Sequence, residues 1–243
     1  MVLVVDIGNS RTKVAVFEQD SIVFQTVFLY TEMQENLHNI FVQYPNISHL
    51  VMSSVKNDAE MKLEIPMYVQ KVVIDRTFGF PFDNKYVTPH TLGIDRMVLA
   101  SGAVLKFPNT NRLVIDAGTC ITYDFINDKN QYLGGGISPG LSLRYKSLHS
   151  FTDKLPLLAL QFPANNIGAS TSESIHAGIV LGVIAEIEQY INLIKSSVEN
   201  FTIILTGGDT DFLAKRLKNT IFANSNFLIE SLYHTFQYKI HNG

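Results

Sequence analysis

The spacing of apolar and polar residues predicts a mixed α/β protein. Apolar runs rich in β-branched residues predict strands, whereas apolar residues every three or four positions predict helices. The predicted strands cover residues 3–8, 12–17, 22–29, 49–55, 68–74, 112–126 (two strands joined by a turn) and 201–206. The predicted helices cover residues 32–43, 95–105 and 171–197, with another beginning near Phe212.

One short pattern occurs twice, once in each half of the chain. VVDIGNS at residues 4–10 and VIDAGTC at residues 114–120 are both a buried strand that ends in Asp, one further residue and Gly. The repeat predicts two related subdomains, each presenting an Asp-x-Gly hairpin. We place the division so that residues 1–108 form one subdomain and residues 109–243 the other.

Composition narrows the possible partners. Of the 243 residues, 46% are hydrophobic and 17% are charged, which is typical of a folded globular protein. A net charge of -3 without a basic tract argues against nucleic acid as a partner. The longest apolar run, GIVLGVIA, is too short to span a bilayer, and Asp6 interrupts the first apolar stretch, which has no basic leader. We therefore expect a cytoplasmic protein with no membrane association.

The first hairpin is suited to binding phosphate. Glycine allows a close approach to a ligand, and Asn9, Ser10, Thr12 and Lys13 add hydrogen-bond donors. A single such hairpin is more simply an ordinary turn, with Asp making a local hydrogen bond. Two copies and a third glycine turn at residues 206–209 favour a nucleotide held in a cleft between two subdomains. Asp6 suits such a site if it holds Mg²⁺, directly or through water, because the metal then neutralises the phosphates.

A second candidate site lies at the start of the helix near residue 95. Asp95 can be a helix cap, or it can be a general base with the guanidinium of Arg96 beside it to hold a carboxylate. Thr171 is most simply interpreted as the start of another helix. Residues 136–140 match the GxSxG pattern of hydrolases, but Pro139 follows the serine and has no N–H for an oxyanion hole. This argues against a hydrolase.

Taken in order, these motifs resemble one known family. The motifs are DIGNSRTK, Y-x-x-P-x-x-LGIDR, DAGTCIT, GGGISPG, IGASTSESIHAG and LTGGD, and they extend from Asp6 to Asp209. The set resembles type III pantothenate kinase, of the superfamily that includes acetate and sugar kinases, Hsp70 and actin. The resemblance implies an α/β fold of two ribonuclease-H-like subdomains, the actin-like ATPase fold, with a nucleotide cleft between them.

The resemblance also implies a reaction and a set of site residues. The reaction is transfer of the ATP γ-phosphate to pantothenate, which yields 4'-phosphopantothenate in the first step of coenzyme A biosynthesis. Asp95 is implied as the catalytic base, and Asp116 as the ligand of a monovalent cation, K⁺ or NH₄⁺. The implied ATP-binding residues are Asp6, Ile7, Gly8, Asn9, Ser10, Arg11, Thr12, Lys13 and Thr119. The implied pantothenate-binding residues are Tyr86, Gly93, Ile94, Asp95, Arg96 and Thr171.

The resemblance further implies a homodimer in which the pantothenate pocket is completed near the subunit interface. Ile94 and Cys120 stand where alanine is usual, which bears on pocket shape and cation preference. Two alternatives stay open from the residues alone: another small-molecule kinase of the superfamily, and a non-catalytic nucleotide-binding regulator. The second is disfavoured because Asp6, Asp95 and Asp116 are all present.

Overall fold

A computed structural model describes residues 1–8, 11–54 and 63–242 of the chain. The chain divides into unit 1, Met1–Lys106 with Asn226–Gly243, and unit 2, Phe107–Ser225. The predicted division after residue 108 lies two residues from this one, but the prediction had assigned the last helix to the second half.

In its described residues, unit 1 contains a five-stranded sheet and three α-helices. Its strands are β1 (Val2–Ile7), β2 (Thr12–Glu18), β3 (Ser21–Phe28), β4 (His49–Ser54) and β5 (Gln70–Val73), in the order β3-β2-β1-β4-β5. β1, β2 and β3 form an antiparallel meander, and β4 and β5 run parallel to β1. Its helices are α1 (Met33–Gln43), α2 (Ile94–Lys106) and α7 (Phe227–Asn242), with a two-residue strand β6 (Asp83–Asn84) before α2.

The last helix belongs to unit 1 because of its side-chain contacts. Tyr233 of α7 stacks on Phe17 of β2 with a centroid distance of 4.2 Å. Thr235 of α7 donates a 2.7 Å hydrogen bond to Ser101 of α2, and both hydroxyls are buried. These contacts join residues more than 130 positions apart, so a local pattern does not reveal them.

Unit 2 repeats the arrangement of strands. Its strands are β7 (Asn111–Ala117), β8 (Cys120–Ile126), β9 (Gln131–Pro139), β10 (Phe201–Thr206) and β11 (Phe222–Ala223), and they follow the order β11-β10-β7-β8-β9. Again the first three strands form an antiparallel meander and the last two run parallel to the first. The predicted α/β fold with one Asp-x-Gly hairpin in each half is therefore confirmed.

The helices of unit 2 lie between β9 and β11. They are α3 (Leu141–Ser150), α4 (Thr171–His176), α5 (Gly182–Lys195) and α6 (Thr210–Ala214). The predicted single helix from 171 to 197 is interrupted by a π-helical turn at Ala177–Leu181. β9 and α3 were not predicted.

The stretch Thr171–Lys195 is long and apolar enough to cross a membrane by length and composition, the only such helix in the described part of the chain. Val183, Ile187 and Ile191 on this stretch are fully buried in the core of unit 2, together with Leu113 and Ile115 of β7. The same length and composition occur in the core helices of water-soluble proteins, so this stretch is not a clear membrane span.

Candidate active site

Asp6 ends the central strand of unit 1 and is surrounded by polar partners. Lys13 of β2 and Ser53 of β4 flank it in register, and the Ser53 hydroxyl donates a 3.1 Å hydrogen bond to Asp6 Oδ1. Burial, together with the charge of Asp95, raises the pKa of Asp6 from 3.8 to about 6, although the Ser53 hydrogen bond and the charge of Lys13 act to lower it. The structure therefore brings Asp6 and Asp95 within electrostatic range of one another.

The turn after Asp6 is closed by backbone contacts. The Gly8 N–H donates a 3.1 Å hydrogen bond to the Arg11 carbonyl. Thr12 is fully buried, and its hydroxyl has no hydrogen-bond partner in the described part of the chain. Asn9 and Ser10, both predicted to bind ATP, lie outside the described residues.

The predicted catalytic base lies in the first turn of α2. The Gly93 carbonyl accepts a hydrogen bond from the Met97 N–H, so the helix begins just after this glycine. Asp95 Oδ1 accepts the Arg96 N–H at 2.9 Å, an arrangement that the positive end of the helix dipole favours. A Cβ on Gly93 would lie 2.4 Å from Asp95 Oδ1, so glycine is required here for the carboxylate to adopt this position.

Two further contacts order the same region. The guanidinium carbon of Arg96 lies 5.9 Å from the centre of the Tyr86 ring, a cation–π distance, and Arg96 is buried. Arg76 donates a 3.0 Å hydrogen bond from Nε to the carbonyl of Leu92, the residue before Gly93. Tyr86, Arg96 and Asp95 thus lie around the start of α2, and Ile94 is buried.

Asp116 of unit 2 occupies the position that Asp6 has in unit 1. It lies at the end of β7, in register with Thr122 of β8 and Thr206 of β10. Gly207 has a φ of +97°, and a Cβ there would lie 2.4 Å from Asp116 Oδ1. The Asp116 carboxylate therefore occupies the space that a side chain at position 207 would need, so this position requires glycine.

Thr119, predicted to contact ATP, is exposed in the turn between β7 and β8. The Gly118 N–H donates to the Cys120 carbonyl at 2.9 Å, and the Thr119 carbonyl accepts the Gly140 N–H at 3.0 Å. A Cβ on Gly140 would lie 2.1 Å from the Gly118 carbonyl oxygen. Gly140, the last glycine of GGGISPG, thus allows α3 to begin directly against this turn.

The third glycine turn contributes Asp209. Its N–H donates to the Ala117 carbonyl at 2.9 Å, which ties the turn to the end of β7. Burial raises the pKa of the Asp209 carboxyl. Asp209 lines a cavity of about 530 Å³ together with Tyr145, Lys146 and Leu158.

Thr171 begins α4, as the sequence predicted. Ser170 caps the helix, its hydroxyl accepting the Glu173 N–H at 3.3 Å while the Glu173 carboxylate accepts the Ser170 N–H. Thr171 also lines a cavity of about 680 Å³ in unit 2, together with Arg144 and Ser174. It therefore belongs to unit 2, whereas the other predicted pantothenate residues belong to unit 1.

Comparison with known proteins decides the family. The model of the type III pantothenate kinase family matches residues 2–193. A type III pantothenate kinase of Flavobacterium johnsoniae is 53% identical over 249 residues, covering 100% of each chain. One of Bacteroides fragilis is 36% identical over 239 residues, covering 98% of each chain.

The chain belongs to the type III pantothenate kinase family. The resemblance inferred from its motifs is thereby confirmed. So is the predicted class of enzyme, a transferase of the kinase type, and kinases use ATP. The reaction of this family is the first step of coenzyme A biosynthesis.

Solved structures of lower identity show the fold. A Campylobacter jejuni structure, described as a conserved protein of the Baf family of transcriptional activators, has a TM-score of 0.63 at 21% identity, covering 99% of this chain and 100% of that chain. The activator of 2-hydroxyisocaproyl-CoA dehydratase from Clostridium difficile, solved with bound ADPNP, has a TM-score of 0.58 at 13% identity, covering 99% of this chain and 96% of that chain. The predicted fold, that of actin-like ATPases and sugar kinases, is confirmed.

Sequence reasoning missed several residues that order the site. Ser53 is the penultimate residue of β4 and Thr206 the last residue of β10, and each of these strands runs parallel to the strand of a key aspartate. The carboxyl ends of neighbouring parallel strands meet at one edge of a sheet, so their strand-end position was an available signal. No local pattern marks Arg76, which reaches Leu92 from a loop 16 residues away.

Proposed function

We propose that this chain transfers the γ-phosphoryl group of ATP to the hydroxyl of pantothenate, with Asp95 as the base and Asp6 as the holder of Mg²⁺. The observation that carries the proposal is the pairing of two acids in unit 1. The charge of Asp95 raises the pKa of Asp6, so the two carboxylates lie within electrostatic range of each other, and Asp6 precedes the turn in which the Gly8 N–H donates to the Arg11 carbonyl.

The residues around Asp6 fit a hydrated divalent metal with phosphates. Mg²⁺ binds through one or two carboxylates and keeps several waters, and when bound it would neutralise charge on the phosphates. Asp6 is a carboxylate whose ionised form the protein disfavours in the absence of metal. The buried Thr12 hydroxyl, which has no partner in the described part of the chain, is a donor of the kind that phosphate oxygens need. Thr119 and residues 6–13 are assigned to ATP on this basis and on the resemblance.

On the acceptor side, Asp95 orients the pantothenate hydroxyl and takes its proton. Because the transition state of phosphoryl transfer is loose, the proton can leave late, and positioning matters more than prior deprotonation. Arg96 holds the carboxylate of pantothenate, with Tyr86, Gly93 and Ile94 beside it. Thr171 lines the cavity of unit 2 and is assigned to the same substrate. Asp116 is assigned to a monovalent cation.

The direct test is an ADP-release assay with pantothenate and a panel of sugars, with and without K⁺. We expect turnover with pantothenate and with none of the sugars. We expect Asp95→Asn to lower kcat by about 10²-fold or more while ATP binding is kept. Glu35→Gln, an exposed acid-to-amide change in the first turn of α1, is the matched control and should leave kcat unchanged.

Each alternative has its own result in this assay. Turnover with a sugar instead of pantothenate would support a different kinase of the superfamily. Nucleotide binding without turnover on any acceptor would support a regulator. Near-normal kcat in Asp95→Asn would remove Asp95 from the role of base.

A homodimer in the cytoplasm completes the proposal. Its support is the resemblance and the surface of unit 2, where Phe151 and Ile167 are 88% and 86% exposed. A Cβ on Gly178 or Gly182 would meet nothing within 4 Å, so this face of the long helix leaves space for a neighbour. Sedimentation equilibrium tests the dimer, and a monomer at micromolar concentration would contradict it.

A further inference from the structure

Two polar side chains are buried together between α3 and α4 of unit 2. The hydroxyl of Tyr145 and Nδ1 of His176 share a 2.7 Å hydrogen bond, and the two residues are 3% and 9% exposed. Replacing both partners of a buried hydrogen bond by apolar groups of similar shape can be nearly neutral for stability. Stability alone therefore does not account for this pair, and neither residue is among those assigned to ATP, pantothenate or metal.

The Tyr145 hydroxyl also contacts the segment that leads to α4. Residues 151–170 contain no helix or strand. The backbone of Gln161, near the middle of this segment, makes a hydrogen bond that acts to lower the pKa of Tyr145, although burial raises that pKa. A contact that favours the phenolate is made by an N–H donor, so the phenol keeps its own proton to donate to His176. Tyr145 thus joins α3, the segment and α4.

The same two helices form the walls of the cavity that contains Thr171. The lining residues of α3 are Arg144, Ser147 and Leu148, and those of α4 are Thr171, Ser174 and Ile175. On each helix the lining residues follow the spacing of a single face. The hydrogen bond between Tyr145 and His176 crosses from one helix to the other, so it helps to set the distance between the two walls.

The position of Thr171 depends on such contacts because α4 is short. The helix comprises only the six residues Thr171–His176, and a helix of this length is not stable by itself. Ile175 packs in the core of unit 2, but apolar packing is not directional, whereas a hydrogen bond restricts both distance and angle. His176 lies about 7.5 Å along the helix axis from Thr171. A directional bond at the last residue of α4 therefore orients its first residue.

We propose that Tyr145 and His176 are positioning residues for pantothenate: their hydrogen bond holds α4 against α3 and thereby places the Thr171 hydroxyl for the substrate. The inference rests on the proposed function, which assigns Thr171 to pantothenate. Tyr145 and His176 act through Thr171 and are not catalytic residues.

The test is a double-mutant cycle of Tyr145→Phe and Thr171→Val in the full chain, read as the KM for pantothenate in the ADP-release assay. Tyr145→Phe keeps the ring and removes only the hydroxyl, and Thr171→Val keeps the branched shape. We expect each variant to raise this KM by about 2-fold to 10-fold, the scale of one neutral hydrogen bond. The KM for ATP should change by less than about 2-fold, because the lost contact serves only the acceptor.

The double variant shows whether Tyr145 acts through Thr171. If it does, Tyr145→Phe has no further effect once the Thr171 hydroxyl is gone, and the double variant has the KM of Thr171→Val. Two effects that multiply would show that Tyr145 acts independently of Thr171 and would overturn the inference. Tyr68→Phe is the matched control, since Tyr68 of unit 1 is 61% exposed, and it should leave both KM values unchanged.

Stability separates positioning from a merely structural role. Tyr145→Phe leaves His176 buried without this partner and should lower the Tm, whereas Tyr145→Phe combined with His176→Leu removes both partners and should recover much of the Tm. Positioning predicts that the KM for pantothenate stays raised in this second double variant, because the hydrogen bond is still absent. A KM that returns to normal together with the Tm would overturn the inference.

Thr171→Val separates this inference from the proposed function. If Thr171→Val raises the KM for pantothenate and Tyr145→Phe does not, the assignment of Thr171 stands and the inference fails. If Thr171→Val has no effect, Thr171 is not a pantothenate residue and the inference fails with that assignment. No turnover of pantothenate by the unchanged chain would refute the proposed function itself, and the inference with it.

Discussion

Asp6→Asn should make the ligand-free chain more stable at neutral and alkaline pH. Asp6 is partly buried, and its pKa is raised to about 6 because burial and the charge of Asp95 disfavour the carboxylate. The amide is close in size and keeps an oxygen that can accept the hydrogen bond of the Ser53 hydroxyl. The substitution therefore removes the unfavourable charge with little change of packing.

The magnitude and the sign follow from proton linkage. Between the unfolded pKa of 3.8 and the folded pKa of about 6, the folded chain binds more protons than the unfolded chain, so its stability falls as pH rises through this window. Above the folded pKa the loss is complete and amounts to about 3 kcal/mol at about 1.36 kcal/mol per pKa unit. The variant lacks this loss, so its advantage should be about 3 kcal/mol at pH 8 and about 1 kcal/mol at pH 4.5.

Urea unfolding at pH 8 and at pH 4.5, with EDTA and without nucleotide, measures the difference. Asp95→Asn is the matched control, since it removes the neighbouring charge but leaves the main cause, burial of Asp6, in place. A variant that is less stable than the unchanged chain at pH 8, or an advantage that does not depend on pH, would refute the reasoning. In the ADP-release assay the stabilised Asp6→Asn chain should be inactive, as expected where a functional site is kept at a cost in stability.

Two glycine substitutions test the geometry around the other aspartates. Gly207→Ala forces a side chain into a backbone with φ +97° and within 2.4 Å of Asp116 Oδ1. It should cost roughly 1 to 3 kcal/mol in urea unfolding. Gly208→Ala, whose Cβ would meet nothing within 4 Å, is its control, and an equal loss in both would contradict the steric argument. Gly93→Ala should lower kcat by about 10-fold or more by displacing Asp95, with Tm kept, and unchanged turnover would show that the position of Asp95 is not critical.

The parts of the fold that were predicted are those in which local pattern and tertiary burial agree. β1 is apolar except for Asp6 and is buried along almost its whole length. The apolar spacing of α2 likewise predicted a helix, and most of its residues are buried. The Asp-x-Gly repeat was recognisable because each copy joins a buried strand to a turn that needs glycine. In the candidate site, the same repeat and the GIDR motif led to Asp6, Asp95 and Asp116.

β9 was not predicted because its local sequence disfavours a strand. Three consecutive glycines, at positions 134–136, weaken a strand when considered alone. A Cβ on Gly135 would lie 1.7 Å from the Tyr123 carbonyl oxygen, so glycine is what allows β9 to approach β8 closely. Tertiary packing therefore overrides propensity here. The π-helical turn at Ala177–Leu181 has no sequence signature that distinguishes it from an α-helix with the same apolar spacing.

The two Asp-x-Gly hairpins share a backbone arrangement but differ in the residue that lies beside the aspartate on the antiparallel strand. In each unit an aspartate ends the first strand, with a hydroxyl residue at the end of the adjacent parallel strand. Unit 1 adds Lys13, yet the pKa of Asp6 stays raised, because one nearby ammonium group does not offset burial and the charge of Asp95. A buried carboxylate whose charge is only partly offset by Lys13 is suited to binding a divalent metal together with nucleotide. Unit 2 has Thr122 in the position that Lys13 has in unit 1. Repetition of the backbone thus places an aspartate near the end of the first strand in each unit, whereas the residue beside it on the antiparallel strand differs, Lys13 in unit 1 and Thr122 in unit 2.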